Sequence, residues 1–225
     1  MSLPKQTAVG LVAALCAYLF LAGQVNKDLT PEDVAAIKLL DVDSQCGRVS
    51  SFGEEVHCAQ AIQASIKGLV TETRCAAPGT RIEPSDFLKR GFGCCYDRAR
   101  FTEKALAHYG FRTRHVAIYN LTDLGLVGLL SSGTPSHATS EVLTSKGWMG
   151  VDSNEYFVLL TEDEKPLSFR DLRANRAELG YQPMPATFYS GDLFVIYGLY
   201  SRHGRFHGPD LPAPEFNLQE LFHNF

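Results

Sequence analysis

At 225 residues and 24.8 kDa the chain suits one domain of moderate size with extensions, not a multi-domain assembly. Its 45% hydrophobic and 20% charged residues are those of a packed globular core, which excludes a disordered chain. A formal charge of −4 and a pI near 6.0 leave no basic footprint, so nucleic acid is excluded as a partner.

Lys5 precedes an uncharged stretch from Thr7 to Gly23. As a helix it would be about 25 Å long, at the lower limit for a hydrocarbon core. It reads as an uncleaved signal anchor, a cleaved secretory signal or a buried core helix. Leu21 and Gly23 make a poor cleavage site, which favours the anchor. Leu15 before Cys16 argues against a lipoprotein signal. Lys5 favours a cytoplasmic N-terminus and an exported body, with Lys27 weighing against it. The expectation is a signal anchor or signal peptide over 1–24, a membrane contact through 7–23, and a body on the periplasmic side of a bacterial inner membrane. Cleavage would leave the body secreted or periplasmic.

Thr30 followed by Pro31, Glu32 and Asp33 starts a helix that runs to about Leu40. Gln45 to Ser51 is polar and loop-like. Val56, Ala59, Ile62, Ile66 and Leu69 recur at near-helical spacing over Glu54 to Leu69. Thr71 to Pro84 reads as a loop turning at Pro78-Gly79. Ser85 is placed to cap a short helix ended by Gly91. Residues 25–84 thus form a helical segment packing on a core over 85–200.

The clearest helix follows. Cys95, Ala99, Thr102, Leu106 and Tyr109 form a single stripe, and Gly110 stops it. Cys95 then sits in the first turn, where free N–H groups and the helix dipole favour a thiolate. A small structural cysteine is also tolerated there. Asp97 and Arg98 read as a solvated or locally paired helix start. Arg114 to Tyr119 alternates as a strand, and Asn120 to Pro135 is an apolar, Gly-rich flap or core-packed loop. His137 to Thr144 and Gly147 to Ser153 form a hairpin turning at Ser145-Lys146. If Thr144 faces Gly147, Asp152 lies opposite Thr139, and His137 is its diagonal neighbour on one face. The same spacing also suits a surface salt bridge.

Beyond the hairpin, Ser168 to Leu179 is a charged surface helix and Leu193 to Tyr200 a buried strand. Asp210 to Pro214 breaks the chain, and Leu218 to Phe222 forms a short amphipathic helix. The tail, 201–225, would dock on the body or on a partner. His203 and His207 read as turn residues because glycines follow them. Six cysteines occur. Cys46, Cys58, Cys75 and Cys94 are an even set, open to two disulfides or four buried thiols. No cysteine or histidine spacing suits zinc, and no cofactor is expected.

Three motifs in order carry a family resemblance: Gly93-x-Cys95-x-x-x-Ala99 with Gly110 and Arg114; His137-Ala138-x-x-Glu141-Val142; and Gly147-Trp148-x-x-x-Asp152. Over about residues 85–157 the chain resembles the transglutaminase-like superfamily. The resemblance selects Cys95 over Cys94. It implies an α+β, papain-like core, with the cysteine helix packed on an antiparallel sheet carrying His and Asp, preceded here by the N-terminal transmembrane helix. It also implies Cys95 as nucleophile, His137 as general base then acid, and Asp152 as orienter. The Cys95 N–H would help form an oxyanion hole, with Gln60 or Gln63 as guesses for a second donor. Thr139 and Ser153 depart from the family, which often carries an aromatic and a proline there. The expected activity is that of a cysteine-dependent acyl hydrolase or transferase, foremost the peptidase-like hydrolysis of an amide in a protein or peptide substrate, with transamidation the lesser option. The alternative is a non-catalytic accessory subunit of a membrane complex, using the same fold for binding.

Overall fold

The computed structural model describes residues 10, 23–77, 80–131, 133–172, 186–200 and 215–225. The stretch at 7–23 lies outside these apart from Gly10 and Gly23, as do Pro78-Gly79, His203, His207, Asp210–Pro214 and 173–179. Among the described residues no helix is long and apolar enough to cross a membrane.

Helix α1 (Pro31–Lys38) starts as the sequence implies. The Thr30 hydroxyl accepts the Asp33 N–H, and the Asp33 carboxylate accepts the Thr30 N–H, closing a capping box. One turn, α2 (Asp43–Cys46), occupies the start of the expected polar loop and is tied to the next helix by a Cys46–Cys58 disulfide. That helix, α3 (Phe52–Leu69), begins two residues earlier than its apolar pattern, because Ser51 and Glu54 form a second capping box. Its buried stripe is Cys58, Ile62 and Ile66, while Leu69 is exposed.

Strand β1 (Glu72–Thr73) follows α3. Helix α4 (Pro84–Arg90) has proline in its first turn and Glu83 at its cap, so Ser85 lies inside the helix and does not cap it. Strand β2 (Phe92–Gly93) pairs in parallel with β1. Cys95 then opens α5 (Cys95–His108).

Helix α5 departs from the expected single stripe. Every residue from Tyr96 to Leu106 is buried, charged ones included. Its polar side is covered by partners instead of water. Lys104 binds Asp33 and Glu83, each at 2.6 Å, and Arg100 binds Glu83 at 3.2 Å. Periodicity reads a charged side as solvated, but buried ion pairs can cover it equally well. Gly110, at φ 87°, ends the helix in a conformation that side chains other than glycine's resist.

The sheet follows in sequence: β3 (Arg112–Asn120), β4 (Ser136–Thr144), β5 (Gly147–Val151) and β6 (Leu193–Tyr197). Its order is β5-β4-β3-β6, antiparallel throughout. Strands β4 and β5 pair from Thr144–Gly147 to Ser140–Val151 without a bulge, the register the turn at Ser145-Lys146 requires. Ser140 and Val142 face α5: the Ser140 hydroxyl donates to the Ala99 carbonyl, and Val142 packs with Phe101 and Leu106. The opposite face is covered by residues 157–172, including the short α6 (Phe169–Leu172), and by α7 (Ala186–Tyr189).

Between β3 and β4, Leu121 and Leu129 anchor the Gly-rich segment on Ala117 and Tyr119. Leu126, Val127 and Leu130 face solvent, so the segment is only partly packed on the core. At the C-terminus, α8 (Leu218–Leu221) docks on the body. The buried Glu220 accepts the His115 N–H at 2.9 Å and the Tyr200 hydroxyl, and pairs with Lys27. Phe216 exchanges backbone hydrogen bonds with Gly23 and Val25, so both ends of the described body meet.

Candidate active site

The start of α5 is fixed by chemistry next to the reactive position. The Cys94 N–H donates to Asp97 Oδ2 at 2.9 Å, and Asp97 is ion-paired to Arg90. Asp97 is fully buried, so this helix start is paired and not solvated. A Cys75–Cys94 disulfide joins the preceding loop to the same point. Gly93 is required by crowding: a Cβ there would lie 2.3 Å from the Phe87 ring. The disulfide occupies Cys94 and leaves Cys95 as the free cysteine among the described residues, half-buried at the helix start.

Beyond the hairpin's last pair, the chain continues one residue to Asp152, and His137 Nε2–H donates to Asp152 Oδ2 at 3.0 Å. The diagonal placement expected from the register therefore holds. Asp152 is 1% exposed and His137 9%. Asp152 Oδ1 accepts the N–H groups of Asn154 and Glu155, each at 2.7 Å, and the Tyr189 hydroxyl donates to Oδ2. All of its visible partners are donors, an environment built for a carboxylate.

The electrostatics follow from these contacts. Burial alone would raise Asp152, but the His137 charge and the hydrogen bonds outweigh it and bring it down to about 2. Burial would lower His137, yet the Asp152 charge and the hydrogen bonds to Asp152 and Cys95 raise it to about 10. Burial would likewise push the Cys95 thiol up. The hydrogen bond and charge of His137, with the Ala138 and Tyr96 N–H groups, instead hold it below its ordinary value. Asp152 takes Nε2, which leaves Nδ1 as the nitrogen available to Cys95. Such an arrangement can hold a thiolate–imidazolium pair braced by a carboxylate.

The remaining motif residues form a second cluster. Arg114 Nε donates to Glu141 Oε2 at 2.8 Å, and its guanidinium lies 4.1 Å from the Trp148 ring and 3.8 Å from that of Tyr197. Glu141 Oε1 accepts the Phe169 N–H at 2.7 Å. These residues brace β3, β4 and β5 behind His137 and touch no reacting group. The two departures are also satisfied locally. The Thr139 hydroxyl donates to the Val151 carbonyl at 2.7 Å, and that of Ser153 to the Ala138 carbonyl at 2.6 Å.

Neither glutamine serves as the expected oxyanion donor. Gln60 is exposed. Gln63 is buried, with its amide committed to the carbonyls of Asp152 at 2.7 Å and Phe157 at 2.8 Å, so it positions the Asp152 backbone. Sequence reasoning also missed Tyr189, which approaches from 37 residues away with no local signal. The Asp-Ser-Asn-Glu run did carry a signal: such sequences close turns on their own carboxylate. No cluster able to hold a metal ion occurs among the described residues.

Two solved structures are similar to this chain. One is described as a TGase, a transglutaminase, with a TM-score of 0.41 and 15% identity; the match covers 70% of this chain and 40% of that one. The other is a candidate cysteine protease from Cytophaga hutchinsonii, with a TM-score of 0.39 and 13% identity, covering 88% and 64%. The chain therefore spans less than two thirds of the length of either. By sequence, neither a family model nor a curated protein matches the chain.

Proposed function

We propose that the chain is a cysteine-dependent acyl hydrolase that cleaves an amide through Cys95, His137 and Asp152. The observation that carries this is the single histidine shared by a free, half-buried cysteine and a fully braced carboxylate. The Cys95 thiolate attacks the amide carbonyl, and the His137 imidazolium protonates the departing amine. His137, now neutral, takes a proton from water, which adds to the thioester and releases the acid and the thiolate. The Cys95 N–H, in the first turn of α5 where backbone donors lack helical partners, would receive the developing oxyanion.

Water and the leaving group have room beside the histidine. A space of about 210 Å³ there is lined by Ser136, Asn154, Glu155, Phe188 and Tyr189. Catalysis requires the thiolate and the imidazolium together. Activity would therefore rise as Cys95 ionises, below the ordinary thiol value of 9.0, and fall as His137 loses its proton near 10. The paired Cys46–Cys58 and Cys75–Cys94 suit an oxidising compartment, in keeping with an exported body anchored through 7–23.

The test is labelling by a thiol-reactive activity probe near neutral pH. Wild type should label at Cys95, with Cys95→Ala and His137→Ala silent. A native protein whose Cys95 labels only after denaturation would overturn the assignment.

A further inference from the structure

A second space of about 440 Å³ shares Asn154 and Glu155 with the first as lining residues. Its walls are Val70, Thr71 and Thr73 after α3, together with Lys67, Arg98 and Tyr156. Arg98 stands three residues after Cys95 on α5, so the two side chains share a helix face.

The space is lined by two cations, Lys67 and Arg98, and by one carboxylate, Glu155. Arg98 is 3% exposed, and its hydrogen bonds go to neutral oxygens: Asn154 Oδ1 at 3.2 Å, the Val70 carbonyl at 3.3 Å and the Thr73 hydroxyl at 3.2 Å. Its Nε has no partner. The other buried cations of α5 differ: Arg100 and Lys104 each meet a carboxylate. Lys67 lies over the exposed Tyr156 ring at 3.7 Å, and its nearest carboxylate is the partly exposed Glu155 at 3.9 Å. Among the described residues no carboxylate hydrogen-bonds the Arg98 guanidinium. Against burial, the charges of Cys95 and Asp97 favour its charged form, and acylation of the sulfur removes the first of them.

Resting on the reading of Cys95 as nucleophile, we infer that Arg98 and Lys67 form a subsite for a carboxylate of the substrate, next to the scissile amide. The Arg98 fork is held in place by Thr73, Val70 and Asn154, Lys67 supplies the more accessible charge, and Tyr156 gives an apolar wall to the group that carries the carboxylate.

Alkylation of Cys95 by iodoacetate and by iodoacetamide tests this, with N-acetylcysteine amide, which carries no carboxylate, as the reference thiol. The anion-to-neutral rate ratio should exceed the reference ratio by about tenfold, the effect of about 1.4 kcal/mol of attraction. His137 also attracts anions, so Lys67→Met, which keeps His137, apportions the effect. It should lower the ratio severalfold. A wild-type ratio equal to the reference, or a ratio unaltered in Lys67→Met, overturns the subsite. Calorimetric titration of Cys95→Ala reads the pocket without any reactivity. Acetyl-glutamate amide and acetyl-alanine place the carboxylate on a side chain or at a chain end, and the tighter binder identifies its source. Binding of at least one, lost in Lys67→Met, is expected; binding of neither refutes the inference. Iodoacetamide failing to reach Cys95 would instead sink the proposed function, and the titration would still decide the subsite.

Discussion

Replacing Asp152 with asparagine separates orientation from packing, because the two side chains are nearly equal in size. The Oδ1 position accepts two backbone N–H groups, which only an oxygen can meet, so the asparagine NH2 must take the Oδ2 position. It would then donate to His137 Nε2, placing the ring proton on Nδ1, the nitrogen that must accept the thiol proton. Wild-type His137 is raised from 6.5 to about 10. That preference for the charged ring is worth roughly 5 kcal/mol at about 1.4 kcal/mol per tenfold change, and Cys95 contributes part of it. Asp152→Asn should therefore slow iodoacetamide alkylation of Cys95 near neutral pH by about 100-fold to 3,000-fold. The pH midpoint of the reaction should move up toward an ordinary or buried thiol. Stopped-flow alkylation across pH, with thermal melting as a control for folding, reads both effects. A folded variant with a rate within threefold of wild type and an unmoved midpoint would refute the reasoning.

Three further outcomes follow from named contacts. Cys75→Ser with Cys94→Ser opens a loop of 19 residues, a loss of about 3 kcal/mol by urea titration, while Cys95 remains the site of alkylation. Glu141→Ala strands the buried Arg114 guanidinium and should cost about 3–5 kcal/mol; a loss below 1 kcal/mol in the same titration would contradict the bracing role. Gln63→Leu leaves the Asp152 and Phe157 carbonyls without their buried donor, for a loss of roughly 2–5 kcal/mol. It should also slow Cys95 alkylation, which a purely structural glutamine would leave unchanged.

Sequence was most informative where a local rule decides. The Thr30 capping position, the stop at Gly110 and the tight turn at Ser145-Lys146 each depend on a few adjacent residues, whereas the equally local Ser51 cap reads as loop and the apolar pattern starts its helix two residues late. The turn fixed the hairpin register, and the register placed His137 diagonal to Asp152. Long-range pairing was not legible in the same way. Nothing near Lys104 or Arg100 signals that Asp33 and Glu83 will cover them, so a fully enclosed helix read as half-solvated. Tyr189 reaches Asp152 through tertiary packing alone. The resemblance named the reacting groups, whereas the roles of Gln63 and Arg98 depend on neighbours that only the fold brings near.

The central claim is that His137 activates Cys95. Ultraviolet titration of the thiolate, taken as the difference between wild type and Cys95→Ala, tests it most directly. Ionisation with a midpoint below the ordinary thiol value of 9.0 is expected, and His137→Ala should shift it upward. A wild-type midpoint at or above 9.0, unmoved by His137→Ala, would contradict the account.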